Sequence, residues 1–258
     1  MTLCYPQLST GASAQFPLSK TTSTRTVMNR LGDGSTIRLA DPDSGSCEWE
    51  LQYRGLSAVE RTSLEEFFKV VEGRLLTFLF LDPCGNLLAW SDEPDRADWS
   101  ADPLLRVEQS AGITQITNTA QTRQTLKQSI DIPGWNRYCF SGQIKSASGS
   151  PDVRLFLENS DGHIETSISA ATDWQQGICS GDLEGAAETI TCGISIPAGA
   201  VVKLRHLQLQ AQGSASGYRV STSKNGIFRK TRFDDDTLAF QADGIDNYST
   251  LIRLISRN

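Results

Sequence analysis

The sequence predicts a mainly β chain: a split β domain braced by one α-helix, carrying an inserted β-sandwich or jelly roll. Three observations predict it. Only residues 57–73 combine helical periodicity with helical caps. Between 98 and 213, short β-type runs follow one another at roughly 8–15-residue spacing, parted by turn residues, as in two-sheet β folds. The last ~40 residues return to strand patterns, yet so short a piece rarely folds without a disulfide or metal.

In the first part, Ser35–Leu39 is a short β-type run and Asp41-Pro42-Asp43-Ser44-Gly45 gathers turn residues. Cys47, Trp49, Leu51 and Tyr53 then alternate with Glu48, Glu50 and Gln52, the pattern of a half-buried strand. Ser57-Ala58-Val59-Glu60 is a capping box, with Ser57 at N-cap and Glu60 at N3. Leu64, Phe67, Phe68 and Val71 fall on one helical stripe, and Gly73 supplies a left-handed C-terminal cap. The spacing therefore predicts a helix over 58–72. Leu75–Leu81 reads as a strand buried on both faces, closed by the turn Asp82–Asn86, and Leu87–Trp90 as another short strand. Trp49, Leu64, Phe67, Phe68, Val71, Phe78 and Phe80 form the expected core of this domain.

Composition shifts near 95–98 and again near 212–217. Eight strands are expected between them: Leu104–Glu108, Thr114–Asn118, Gln124–Ile130, Arg137–Ser146, Val153–Glu158, Ile164–Ala170, Thr189–Ile196 and Val201–Gln210. Beyond lie Ile227–Phe233, the acidic turn Asp234-Asp235-Asp236, Leu238–Gln241, the turn Asp243-Gly244, and Tyr248–Ile255. The economical solution joins the ends: 1–97 with 214–258 as one discontinuous domain, and 98–213 as an insert on its surface.

Composition excludes several functions. The chain has 258 residues, a length that suggests about two domains, and its net charge of −6 argues against nucleic acid. No segment approaches the ~20 apolar residues of a membrane helix. Met1–Pro6 has no basic region followed by an apolar one, so a secretory signal is not expected and folding in a cytoplasm is. The six cysteines (4, 47, 84, 139, 179, 192) include no CxxC pair, and buried thiols are the plain reading. A Cys179–Cys192 disulfide is the alternative, disfavoured by a reducing compartment.

No catalytic constellation stands in the sequence. GxSxG, HExxH, P-loop and GxGxxG are absent, and no two carboxylates are paired by spacing. His206 lies inside an apolar strand and reads as a packed or surface strand residue, and His163 reads as an exposed turn residue. Asp234–Asp236 reads as a solvated turn. No metal or cofactor is expected. Trp99, Trp135, Tyr138 and Trp174 are candidate glycan contacts, because a ring face stacks on the C–H patches of a pyranose; the alternative makes them core plugs.

Two resemblances add to this reading. Tyr5-Pro6-Gln7-Leu8-Ser9-Thr10-Gly11 and Gln15-Phe16-Pro17 resemble the opening of phage minor tail proteins at the tail tip. The run Gly55–Glu60, Leu64–Phe68, Glu72-Gly73-Arg74, Phe78-Leu79-Phe80 and Asp82-Pro83 resembles their signature, and Arg232–Leu238 and Tyr248–Leu254 their last strands. Such proteins are similar to the distal tail proteins of long flexible-tailed phages and gene transfer agents. The resemblance implies a homo-oligomeric ring, commonly six-fold, between the tail tube protein and the tip hub protein. The implied location is the virion tail tip, assembled in the host cytoplasm.

Second, Tyr138–Lys145, Val153–Leu157, Thr172–Gln175 and Ile194–Gly199 resemble a carbohydrate-binding-module jelly roll. Leu207–Gln210 ahead of Ser216-Gly217-Tyr218 resembles the exit of such modules, with Gln210 where an acid is usual and Gly217 where Pro is common. These are fold motifs and transfer no ligand residues; host-surface carbohydrate is implied by class alone. The expected function is thus structural and non-enzymatic: a tail-tip ring protein with a peripheral glycan-binding domain. The alternatives are an adhesin whose main role is receptor binding, and a glycan-degrading tail component.

Overall fold

A computed structural model describes residues 2–223 and 225–257, the side chains of Pro42 and Asp43 excepted. Met1, Lys224 and Asn258, which the expected domain ranges include, lie outside the described residues. In chain order the elements begin with β1 (Leu18–Arg30), β2 (Thr36–Leu56), α1 (Ala58–Val70) and β3 (Phe78–Leu81). Ten strands follow: β4 (Ser100–Ala101), β5 (Leu105–Ser110), β6 (Ile113–Asn118), β7 (Gln124–Ile130), β8 (Arg137–Ser146), β9 (Asp152–Glu158), β10 (His163–Ser169), β11 (Gln175–Asp182), β12 (Ile190–Ile196) and β13 (Val201–Gln210). β14 (Ile227–Phe233), β15 (Gln241–Gly244) and β16 (Asn247–Arg257) close the chain. The chain is mainly β, with one helix among the described residues.

One compact unit is built from Leu3–Ser9, Ala14–Phe80 and 228–257. Its sheet runs β1-β2-β16-β14-β3, with β15 paired to β16. The capping box is formed: Ser57 Oγ accepts from the Glu60 N–H at 3.2 Å, and Glu60 Oε2 accepts from the Ser57 N–H at 2.9 Å. Gly73 takes φ +62° and its N–H bonds back to the Phe68 carbonyl at 3.0 Å, which closes the helix end. Leu64 and Val71 are buried with Trp49, Tyr53, Phe78, Phe80 and Phe233, and Phe67 and Phe68 pack against that cluster at partial burial. Tyr5 and Tyr53 share a buried hydrogen bond at 2.9 Å, so each hydroxyl is satisfied inside the core. Ser57→Ala is expected to cost about 0.5–2 kcal/mol, checked by urea denaturation; an unchanged midpoint would remove the cap from the stability argument.

Several local expectations change. The helix ends at Val70, and Leu75 and Leu76 are exposed, so the buried strand is only Phe78–Leu81. Asp41–Gly45 is no chain reversal. It sits within β2, where the register against β1 jumps from Arg25↔Asp41 to Ser23↔Ser46. The turn residues make an irregularity in a long hairpin instead of ending a strand. β1 was not expected: its Thr- and Ser-rich run is exposed on both faces and has no apolar alternation to read. The turn Asp243-Gly244 also moves, since β15 covers Gln241–Gly244 and Asp246 takes the positive φ. Asp234–Asp236 is structural: Asp236 Oδ1 accepts the Arg74 N–H at 3.1 Å, and Asp235 accepts the Thr237 N–H.

The second unit comprises Thr2, Thr10–Ser13 and Leu81–Ile227. Its two five-stranded antiparallel sheets run β10-β9-β12-β7-β4 and β11-β8-β13-β6-β5. From β6 to β9 successive strands alternate between the sheets, the winding of a jelly roll. The inward faces meet through residues such as Tyr138, Phe140, Ile144, Leu155, Leu157, Ile194 and Leu204, all fully buried. β11 was missing from the expected strands. Its inward positions include Gly177 and Cys179, so it shows little apolar alternation.

The units change over at 80/81 and 227/228, outside the composition shifts near 97 and 213. The physical reason is the packing of the two crossing segments. Leu87 and Leu88 are fully buried, but as loop and not as the expected strand. The Leu87 N–H bonds the Leu209 carbonyl, Asn86 Nδ2 donates to the carbonyls of Leu207 and Arg219, and the Gly226 N–H bonds the Asn86 carbonyl.

Candidate ligand-binding face

The outward face of the sheet β11-β8-β13-β6-β5 carries a cluster of polar and aromatic side chains around a cleft. On β8, Tyr138, Phe140 and Ile144 point inward, so Ser141, Gln143 and Lys145 point outward. Register aligns them in rows across the strands. Gln176, Gln143 and Arg205 make one row, and Lys145 stands opposite Lys203 in the next.

β13 breaks its own alternation. Val202 and Leu204 are buried, and then Leu207 and Leu209 are, so the inward phase shifts by one residue. The register shows why: Arg205 opposes Gln143 and Gln208 opposes Ser141, leaving His206 and Leu207 against Gly142 alone. This is a β-bulge, and His206 takes φ +57° within it. A Cβ on Gly142 would lie 2.6 Å from Leu207 Cδ2, so the glycine makes room for the bulge. The bulge re-aims His206 so that its ring stacks on Tyr218, centroids 4.4 Å apart and 17° between planes.

The Tyr218 segment is held over the sheet by amides. Gln208 Oε1 accepts the Arg219 N–H at 2.7 Å, Gln210 Oε1 accepts the Ser216 N–H at 3.0 Å, and Gln210 Nε2 donates to Ser216 Oγ at 2.7 Å. The Tyr218 hydroxyl shares a hydrogen bond with Ser91 Oγ at 3.0 Å, so the ring is fixed at both ends. Burial, with Asp92 adding to it, pushes the Tyr218 phenol far above its usual range, so the hydroxyl stays protonated. Ser141, Gln143, Gln176, His206, Gln208 and Tyr218 bound a cleft of about 220 Å³.

The candidate aromatics are not brought together. Trp99 is 6 % exposed and its indole N–H donates to the Ala89 carbonyl at 3.1 Å. Tyr138 is fully buried and its hydroxyl donates to the Pro133 carbonyl at 2.6 Å. Neither ring can reach a ligand, because both belong to the core. Trp135 is 36 % exposed in the loop before β8, whereas Trp174 is half-buried beside the other end of that strand. At ~3.3 Å per residue, the ten residues of β8 set them on the order of 30 Å apart. Trp174 borders the face described here, with the Arg205 guanidinium 4.2 Å and Lys145 Nζ 4.9 Å from its ring.

Reading the sequence missed His206 and Tyr218 as partners. The signal was available in Val201–Leu209, where apolar residues move from even to odd positions. His163 lies elsewhere, on β10, between Glu158 at 3.3 Å and Glu165 at 3.6 Å and stacked on Phe156. All six cysteines are free thiols; Cys179 and Cys192 sit in different sheets. Burial raises the Cys139 thiol to about 11 and the Cys179 and Cys192 thiols upward as well, which leaves them inert. Among the described residues, no group of three or more His, Cys, Asp or Glu side chains could hold a metal ion.

The sequence matches no family model and no curated protein. Solved structures match about half of the chain. The CBM22-1 xylan-binding domain of Xyn10C from Paenibacillus barcinonensis is 17 % identical over 50 % of this chain and 96 % of its own length, with a TM-score of 0.42. TmCBM61 in complex with β-1,4-galactotriose is 13 % identical over 48 % of this chain and 97 % of its own, with a TM-score of 0.36. The enzymatically active domain of bacteriophage CBA120 tailspike protein 4 is 8 % identical over 51 % of this chain and 22 % of its own, with a TM-score of 0.39. The chemistry of the face rests on its own residues.

Proposed function

We propose that the jelly roll is a glycan-binding domain and that the chain binds without catalysing. The observation that carries this is the His206–Tyr218 stack beside the amides of Gln143 and Gln176 in one open cleft. A pyranose offers an apolar C–H patch on one side and hydroxyls around its rim. A flat ring and planar amides, each able to donate and accept, complement those two surfaces. The cleft is smaller than the ~300–1,000 Å³ of pockets that enclose a drug-sized ligand, which suits one or two residues of a longer glycan. None of the residues bounding it is acidic, so no acid–base pair for hydrolysis is positioned there.

A glycan array probed with the full chain is expected to give hits. Tyr218→Ala should weaken them about ten-fold or more, the equivalent of ~1.4 kcal/mol. Tyr218→Phe should keep them, because the hydroxyl faces Ser91 and only the ring serves the cleft. Equal binding by wild type and Tyr218→Ala would move the site elsewhere.

A second reading concerns the split unit: a subunit of a homo-oligomeric tail-tip ring between tube and hub, displaying the glycan-binding domain. One observation favours it. The β1–β2 hairpin exposes Met28, Leu31, Ile37 and Leu39, and an isolated two-stranded ribbon is marginal in water. Packing against a neighbouring copy would cover these residues. Mass photometry is expected to show a closed oligomer, reduced to monomer by Met28→Asp with Leu39→Asp. A wild-type chain that stays monomeric with tube and hub proteins present would sink this reading.

A further inference from the structure

We infer that the glycan taken by this face is acidic, with Lys145, Lys203 and Arg205 receiving an anionic substituent of the sugar. The inference rests on the reading of the face as a glycan site and adds the class of ligand. The chain as a whole is acidic, at net −6, yet three cations gather on adjacent positions of two neighbouring strands.

Lys145 and Lys203 stand directly opposite each other across β8 and β13, both half-buried. Like charges placed directly opposite in a sheet repel. Several other cations on the jelly roll are neutralised by carboxylates: Arg137 by Asp182, Arg154 by Asp152 and Glu165, and Arg123 by Asp152. Among the described residues, no ion pair reaches Lys145, Lys203 or Arg205. Of the nearby carboxylates, Glu108 on β5 faces Arg106 at 3.9 Å, and Asp173 is exposed in the loop before β11.

The heads are also held in place. Trp174 lies against both Arg205 and Lys145, and Arg205 Nε donates to Gln143 Oε1 at 2.7 Å. That bond uses one of the five guanidinium donors and leaves both terminal nitrogens for a ligand. Gln143 itself bounds the cleft, so the cations begin where the polar floor ends. A sugar stacked at Tyr218 would place a ring substituent toward this row. A carboxylate matches the arginine fork in a bidentate pair, and the lysines add charge around it.

The test is isothermal titration of the full chain with oligogalacturonate, sialyllactose and a chondroitin sulfate oligosaccharide, against cello- and xylo-oligosaccharides of matched length. At least one acidic probe is expected to bind ten-fold or more tighter than the neutral ones, and more weakly as salt rises. Carboxylated and sulfated probes separate the two kinds of anion. Arg205→Gln and Lys203→Gln should each weaken that binding several-fold. Lys203→Gln should leave the melting temperature unchanged or higher, because it relieves repulsion; a misfolded variant would lower it. Neutral oligosaccharides binding as well as acidic ones, with no salt dependence, would overturn the charge assignment and leave the glycan reading standing. No binding by any probe, with Tyr218→Ala indistinguishable from wild type on a broad array, would overturn both.

Discussion

Trp49→Ala is expected to destabilise the split unit by about 3–5 kcal/mol, the usual effect of emptying a large aromatic site in a core. The side chain is 1 % exposed and sits on β2, opposite Lys20 on β1 and Leu254 on β16. It packs edge-to-face on Phe80 at 5.0 Å and on Phe228 at 4.6 Å. Those two rings come from parts of the chain separated by the whole jelly roll, so the cavity would loosen the closure of the split sheet as well as its packing. Hydrogen–deuterium exchange reads the effect locally. Protection should fall in β2, β16 and α1 and persist in β7, β9 and β12. A loss of less than ~1 kcal/mol, or exchange rising equally throughout the chain, would contradict this account.

Gly193→Ala is expected to destabilise the jelly roll by about 1–3 kcal/mol through overpacking. Gly193 lies on β12, with Lys127 of β7 and Phe156 of β9 on either side. A Cβ there would stand 2.6 Å from Phe156 Cζ, 2.7 Å from the Leu126 carbonyl oxygen and 2.8 Å from Lys127 Cβ. The Phe156 ring can swing aside, but a backbone carbonyl in mid-sheet cannot. Phe156 is 5 % exposed although it points away from the inward-facing Leu155 and Leu157, so its ring covers the bare glycine. Thermal unfolding followed by exchange in β7, β9 and β12 checks this; an unchanged melting temperature would mean the sheet yields more than its geometry suggests.

These two sites also show what the sequence made legible. Helix α1 was readable because a cap, a stripe and a glycine stop agree within seventeen residues, 57–73. The strand around Trp49 was readable because one face is buried and the other wet. Eight jelly-roll strands were readable for the same reason. β1 was not, because neither of its faces is buried and alternation is a signature of burial. β11 was not, because its inward positions are small. The composition shifts and the compact units divide the chain at different places, because the segment 82–99 is polar in composition yet anchored by a few buried groups, Leu87, Leu88 and Asn86 among them. The candidate face was partly legible. Tryptophan was the natural flag for a sugar platform, yet two of the four flagged aromatics are structural plugs. The platform proposed here instead uses a histidine turned by a bulge and a tyrosine in an exit loop. Only the phase break in β13 announced it.

The sheet order of the split unit has a consequence for how the chain is made. β16 lies between β2 and β14, and pairs with β2 from Ser46 to Leu56. It leaves the ribosome about 190 residues after β2 does. At ~5–20 residues per second, roughly 10–40 s pass before β2 can meet its partner. The jelly roll, contiguous from 81 to 227 apart from a short N-terminal piece, can fold during that interval. Throughout it, Trp49, Leu51 and Tyr53 have no β16 to cover them. The nascent chain is therefore most exposed to aggregation and chaperone capture while its jelly roll is already native, and slower elongation across 81–227 would lengthen that window.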